Sequence, residues 1–331
     1  MEYTFSNVLQ KKMSRIGLGT WAIGGWMWGG TDEQESVNTI VKAFDQGINF
    51  IDTAPVYGFG TSEEITGKAL KEINRRDEIV LSTKVAMEWD EKERVFRNSS
   101  AARIMKELED SLKRLQVDYI DVYFVHWPDH QVPFAETAEA MHKLLDQGKI
   151  RSVGVSNYDR EQMDAFRKTA PIHFMQPPYN LFERQIDDEQ LPYCQEHKIN
   201  LVTYGVICRG LLTGKMKQDT KFEGDDLRKN DPKFQQPRYE QYLEAVERLD
   251  KLAQENYGKR VIHLAARWVL QQGINVALWG ARKPDQLDAV NEIPGWSISD
   301  DDMNRIERIL NETITDPVGP EFMAPPKRRE K

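Results

Sequence analysis

Tyr119-Ile-Asp-Val-Tyr-Phe-Val-His126 is rich in β-branched and aromatic residues. The helical pattern Ala135–Leu145 follows it, and then a second such run, Ile150-Arg-Ser-Val-Gly-Val-Ser156. Strand, helix and strand in that order predict a parallel pair joined by a right-handed crossover. The rhythm extends outward in both directions. Strands are predicted at Arg15–Leu18, Asn49–Asp52, Ile79–Lys84, Tyr119–His126, Ile150–Ser156, His173–Gln176, Asn200–Tyr204 and Val276–Trp279, eight in all. Helical patterns fill the gaps. Glu33–Gln46 places Val37, Ile40, Val41 and Phe44 on one face. A second helix opens with Thr61 or Ser62 as its N-cap, and a third follows Ser99 and Ser100 and runs to Leu115. Arg160–Lys168, Asp187–Glu196, Gln241–Glu255, Val261–Gln271, Pro284–Asn291 and Asp300–Asn311 complete the set. The prediction is an α/β chain folded as one (β/α)8 TIM-barrel domain over residues 1–331, because a closed barrel leaves no edge strand exposed.

A doubly wound open sheet is the competing fold. Its support is Gly17-Leu-Gly19-Thr-Trp-Ala22, which fits a dinucleotide-binding glycine pattern. Those glycines should open a helix, with an acidic residue ~20 positions on. Here they run into the loop Gly24-Gly25-Trp26-Met27-Trp28-Gly29-Gly30, and the next strand ends much later, in Asp52. The barrel is the better reading.

Bulk properties narrow the partners. Forty-five Lys and Arg against 53 Asp and Glu give a net charge of −8, which argues against nucleic acid as a partner. Two cysteines, Cys194 and Cys208, make neither a disulfide framework nor a metal site. The first dozen residues lack a signal-peptide core, and no apolar run is long enough to cross a bilayer. A cytoplasmic protein with no membrane association is expected; the number of subunits is left open, a monomer included. The segment from Gly205 to Arg238 is a long loop with many cations: Arg209, Lys215, Lys217, Lys221, Arg228, Lys229, Lys233 and Arg238. Loops of that length in compact domains are commonly functional. The Pro-rich end, Asp316–Lys331, is expected to fray or to cover the barrel mouth.

Barrel chemistry sits where strands end. The predicted strand ends deliver Thr20-Trp21, Asp52 with Tyr57 just beyond, Lys84, His126, Ser156-Asn157, Gln176, Tyr204, and Gly280 with Arg282. Asp52, Tyr57, Lys84 and His126 form an acid–base set. A phenol titrates near ~10, and an adjacent ammonium favours its phenolate. Tyr57 is then the proton donor to a carbonyl oxygen, and His126 hydrogen-bonds the same oxygen. A lone Asp–Lys pair is more often structural. Four matching types at the ends of successive strands carry the assignment.

These motifs resemble the aldo-keto reductases. The matching stretches are Gly17-Leu-Gly-Thr-Trp21, Asp52-Thr-Ala-Pro-Val-Tyr57-Gly, Ser82-Thr-Lys84, Asp118 to Asp129, Gly148 to Asn157, Gln176-Pro-Pro-Tyr-Asn180 and Gly210-Leu-Leu-Thr-Gly-Lys215. The tail Asp316 to Pro326 is similar to that of bacterial reductases of the general stress-response type. The resemblance implies a catalytic tetrad at Asp52, Tyr57, Lys84 and His126, and NADP(H) lying across the rim. Asn157 and Gln176 would hold the nicotinamide carboxamide, Tyr204 would stack under its ring, and Thr20, Trp21, Asp52 and Ser156 would border it. Gly205, Ile207, Cys208, Arg209, Gly210, Lys215 and Arg228 would follow the pyrophosphate. Gly280, Ala281, Arg282 and Gln286 would receive the adenosine, with its 2′-phosphate on Arg282 and Lys283 before a helix start. One departure stands at Ala289-Val290, where many relatives carry a Glu-Asn that contacts adenine; the contact is absent here or comes from Asn291.

The substrate side is aromatic. Trp21, Tyr57, Trp89, His126 and Trp127 are expected to bind a small carbonyl compound, with Trp26, Trp28 and Phe59 nearby and Phe322-Met323 closing the cup. The implied activity is NADPH-dependent reduction of aldehydes and ketones. One alternative is a cofactor-binding, redox-sensing regulatory subunit on the same fold. A lyase or hydrolase pairing Asp52 with Glu63 or Glu64 is another, but leaves Tyr57, Lys84 and Arg282 unexplained.

Overall fold

The computed structural model describes residues 1–327. Eight parallel strands close into a barrel: β1 Ile16–Gly19, β2 Phe50–Asp52, β3 Val80–Val85, β4 Val122–Val125, β5 Val153–Ser156, β6 Phe174–Gln176, β7 Asn200–Thr203 and β8 Val276–Gly280. Each pairs with its chain neighbours, and β8 closes on β1 with Ala277 opposite Ile16. All eight predicted strands are present. The fourth is shorter than expected, because the Asp121 carboxylate, not a backbone oxygen, accepts from Leu81 N, and residues 119–121 keep only one isolated bridge.

The interior is packed. Phe50, Val80, Val122, Phe124, Phe174, Val202, Val276 and Leu278 point inward and are buried. Met13, in the hairpin Tyr3–Ser6/Lys11–Ser14, plugs the lower end. Gly17 belongs to this packing and not to a nucleotide-binding turn. A Cβ there would meet the Leu278 and Val276 side chains at 2.9 Å. With the lower barrel filled by hydrocarbon, polar strand-end residues are left at the upper rim.

The helices are α1 Glu33–Asp45, α2 Thr61–Ile73, α3 Ala101–Leu115, α4 Phe134–Asp146, α5 Arg160–Arg167, α6 Gln190–Glu196, α7 Arg238–Tyr257, α8 Val261–Gln271 and α9 Asp300–Thr313. Ser100 caps α3 by accepting from Arg103 N. The cap of α2 is not Thr61 or Ser62 but Gly60, in a left-handed conformation. Ser62 is instead buried and bonds Thr20 and Thr53, fastening α2 to the rim. Residues Pro284–Glu292 form a 3-10 helix.

The tail crosses the barrel mouth. Lys233 donates to Gly319 O at 3.0 Å, and Arg97 Nε donates to Pro325 O at 3.0 Å. Among the described residues no helix is long and apolar enough to cross a membrane.

Candidate active site

The β2 and β3 ends place Asp52 and Lys84 side by side, and Tyr57 leans over them from the loop after β2. The Lys84 ammonium has three protons and three acceptors: Asp52 Oδ2 at 2.6 Å, Thr53 O at 2.9 Å and Tyr57 Oη at 3.1 Å. Asp52 Oδ1 in turn accepts from Ser82 Oγ at 2.7 Å and Gln176 Nε2 at 2.9 Å. A hydrogen-bonded line therefore runs from β6 through Asp52 and Lys84 to the Tyr57 hydroxyl. The Tyr57 loop is pinched in place by Gly58, whose φ is +66°; a Cβ there would lie 2.0 Å from Gly24 O. His126 follows β4 and meets Tyr57 edge-on with ring centroids 5.8 Å apart.

Burial sets the electrostatics. It pushes the Tyr57 hydroxyl well above the usual phenol range, and the Asp52 charge pushes the same way. The expectation that Lys84 would pull Tyr57 down is overridden by desolvation, which disfavours the phenolate. Burial also lowers Lys84, with Asp52 opposing. His126 falls well below its ordinary value through burial, aided by the Lys84 charge. At neutral pH the site holds a phenol O–H and a neutral imidazole.

Both face a cavity of about 2030 Å³ that runs from His126 to Arg282. Trp21, Asp52, Tyr57, His126, Trp127, Asn157, Gln176, Tyr204, Gly205, Ile207, Arg209, Gly210, Lys215, Arg228, Gly280, Ala281, Arg282 and Gln286 all line it. Lys84 stands behind Tyr57, fully buried. Five further expectations place differently. Thr20 and Ser156 are buried, spending their hydroxyls on Asp52 O and Gln176 O. The Cys208 thiol is buried and pushed up to about 12, so it is an inert packing group. Trp89 does not line the cavity; it backs Phe59 at 5.5 Å, with Arg103 over its ring. Ala289 lines the cavity and Asn291 does not.

Asn157 is fully engaged: Nδ2 donates to His126 O and Ser156 Oγ, and Oδ1 accepts from the Tyr204 hydroxyl at 2.8 Å. That locks Tyr204 at the rim. Trp21 stacks on Tyr57 with centroids 6.0 Å apart, Trp28 meets Trp21 edge-on at 5.5 Å, and Phe322 and Met323 of the tail line the same space. Glu63 accepts from Thr83 and Arg114, so no second free carboxylate stands beside Asp52.

At the other end the cations divide into two groups. Arg209, expected beside the pyrophosphate, is buried; its Nε bonds Asp231 at 2.6 Å and its Nη2 bonds Glu183. Lys233 joins the same cluster, 2.8 Å from Glu183. Arg228 pairs with Asp226 and Lys283 with Glu35. Among the described residues, Lys215, Arg260, Arg282 and, on the tail, Lys327 line the cavity without a carboxylate partner. Arg260 escapes the sequence reading. Its signal is the one used for Arg282, a cation just before a helix start, here that of α8.

The family model described as "Aldo/keto reductase family" matches residues 15–311. The aldo-keto reductase YhdN of Bacillus subtilis is 60% identical over 331 residues, covering 100% of both chains. An NADH-specific methylglyoxal reductase of Escherichia coli is 35% identical over 290 residues, 83% of this chain and 88% of its own length. Among solved structures, the glycerol dehydrogenase AKR11B4 of Gluconobacter oxydans superposes with a TM-score of 0.89 at 52% identity, covering 97% of this chain and 99% of that one. The barrel, the rim motifs and these likenesses agree: the chain belongs to the aldo/keto reductase family of oxidoreductases.

Proposed function

We propose that the protein reduces small aldehydes and ketones to alcohols with NADPH, Tyr57 acting as general acid. The observation that carries this is the buried Asp52–Lys84–Tyr57 line opening on the cavity beside His126. A carbonyl oxygen set between the Tyr57 hydroxyl and the His126 imidazole receives two hydrogen bonds. Tyr57 then gives up its proton as negative charge grows on that oxygen. The adjacent Lys84 ammonium stabilises the phenolate left behind, and hydrogen bonds from Ser82 and Gln176 hold the Asp52 side chain in place against Lys84. In the reverse direction the phenolate takes the alcohol proton.

The cavity suits a dinucleotide. Lys215, Arg260 and Arg282, which have no carboxylate partners, fit its phosphates, and Gly280 is open, with nothing within 4 Å of an added Cβ. Lys215 and Arg260 would serve the pyrophosphate and Arg282 the 2′-phosphate. Tyr204 offers a ring held from behind by Asn157. When bound, the cofactor supplies hydride for reduction and accepts it in oxidation. The aromatic cup of Trp21, Trp28 and Trp127 excludes water from the reacting oxygen. The two cysteines are free and buried, in keeping with a cytoplasmic enzyme.

The test is consumption of NADPH and NADH with a panel of small carbonyls, alongside titration of both cofactors. Turnover with tighter binding of NADPH is expected. Tight binding without turnover on any carbonyl would instead favour a regulatory, cofactor-sensing role.

A further inference from the structure

Arg282 does more than stand at the far end of the cleft. Its Nη1 donates to the carbonyl oxygen of Trp28 and reaches Gly30 O at 3.5 Å. Its backbone N–H donates to Gln286 Oε1 at 2.9 Å. No other partner of the guanidinium exists among the described residues, so the edge formed by Nε and Nη2 is left for an anion. Trp28 is thus tied by its own carbonyl to the cation expected to read the cofactor, while its ring lines the cup next to Trp21, which stacks on Tyr57.

The turn that carries Trp28 is closed within itself, Trp28 N and Gly30 N donating to Gly25 O at 3.0 and 3.1 Å, and the Arg228 guanidinium lies over the indole at 5.6 Å. Gly29 and Gly30 have φ of +76° and +87°, and nothing lies within 4 Å of a Cβ built on either. Before Trp28, Met27 is held by Asp225 Oδ2 at 2.7 Å and by Leu227 N at 3.1 Å. Among the described residues, Arg282 is the side chain that bonds the Trp28 and Gly30 carbonyl oxygens and so ties this turn to the end of β8. The Trp28 Nε1 is buried with no acceptor.

We infer that Arg282 couples the two ends of the cleft: an anion on its free edge steadies the Trp28 carbonyl and ring, so carbonyl affinity depends on whether the cofactor carries a 2′-phosphate. This rests on the reading of Arg282 as the 2′-phosphate site. A planar guanidinium can serve carbonyls with one edge and phosphate with the other, which an ammonium cannot do with the same geometry. Arg282 is then a specificity-determining residue for the carbonyl as well as for the cofactor.

The experiment measures KM and kcat for one carbonyl at saturating NADPH and at saturating NADH, in the wild type, Arg282→Lys and Arg282→Ala. Cofactor dissociation constants are measured on the same samples. In the wild type the carbonyl KM should be about fivefold or more lower with NADPH, in the range of ordinary coupling between sites. In Arg282→Lys, NADPH should still bind more tightly than NADH while the KM ratio falls toward one. In Arg282→Ala both preferences should vanish. Equal KM values in a wild type that binds NADPH more tightly would overturn the coupling alone. Equal binding of the two cofactors would overturn the 2′-phosphate site and the coupling with it.

Discussion

The two ends of the cleft are built on opposite electrostatic plans. At the chemical end every charge is matched: the Lys84 ammonium has three acceptors and Asp52 three donors, all buried behind Tyr57. At the far end Lys215, Arg260 and Arg282 border the cavity with no carboxylate to answer them. A closed network fixes one proton on one oxygen. An open set of cations has affinity to spend on an anionic ligand. Arg209 shows that position alone does not decide which plan a residue joins. It lines the same cavity, yet two buried carboxylates have already claimed it.

That difference can be broken by substitution. Lys84→Met should lower kcat by about 10²–10⁴-fold, the usual range for acid–base assistance, and should also lower Tm because Asp52 is left buried without its cation. A variant that kept kcat in steady-state assays would remove Lys84 from the relay. Arg209→Ala should act mainly on stability, costing roughly 3–5 kcal/mol in denaturant melts because Glu183 and Asp231 lose a buried partner. A full loss of NADPH binding at unchanged stability would put Arg209 with the open cations after all. Arg282→Ala should do the reverse, weakening NADPH by about 1.5–3 kcal/mol in fluorescence titrations with little effect on NADH or on Tm. Equal losses for both cofactors would detach Arg282 from the 2′-phosphate.

The pH dependence is the mildest expectation. Tyr57 is raised above its ordinary value, so its acid form persists throughout the neutral range and beyond. His126 is lowered, so its neutral form persists there too. Carbonyl reduction should therefore stay nearly flat across neutrality, while alcohol oxidation, which needs the phenolate, should climb with pH. A reduction rate that fell through neutrality would contradict the raised Tyr57.

The chemical end was legible in the sequence because strand alternation puts each residue that follows a strand at the rim. Asp52, Lys84 and His126 needed only the positions of three strands, and Tyr57 only the short loop after one of them. The far end was legible as charge but not as pairing. Glu183 and Asp231 lie 26 and 22 residues from Arg209 in the chain, and no local pattern announces that they meet it. Arg260 was passed over for a related reason: it stands just before α8, and its guanidinium bonds Thr213 O, 47 residues away in the chain. Thr20, Ser156 and Trp89 misled because a rim position does not say which way a side chain faces.

The most direct test of the account is turnover of a small aldehyde by Tyr57→Phe at saturating NADPH, with NADPH binding measured on the same preparation. Tyr57→Phe removes one hydroxyl and leaves Lys84, Asp52 and the open cations in place. In that variant kcat should fall by about 10²–10⁴-fold while the dissociation constant for NADPH stays nearly unchanged. A variant that turns over at close to the wild-type rate would contradict this, because the proton would then come from elsewhere.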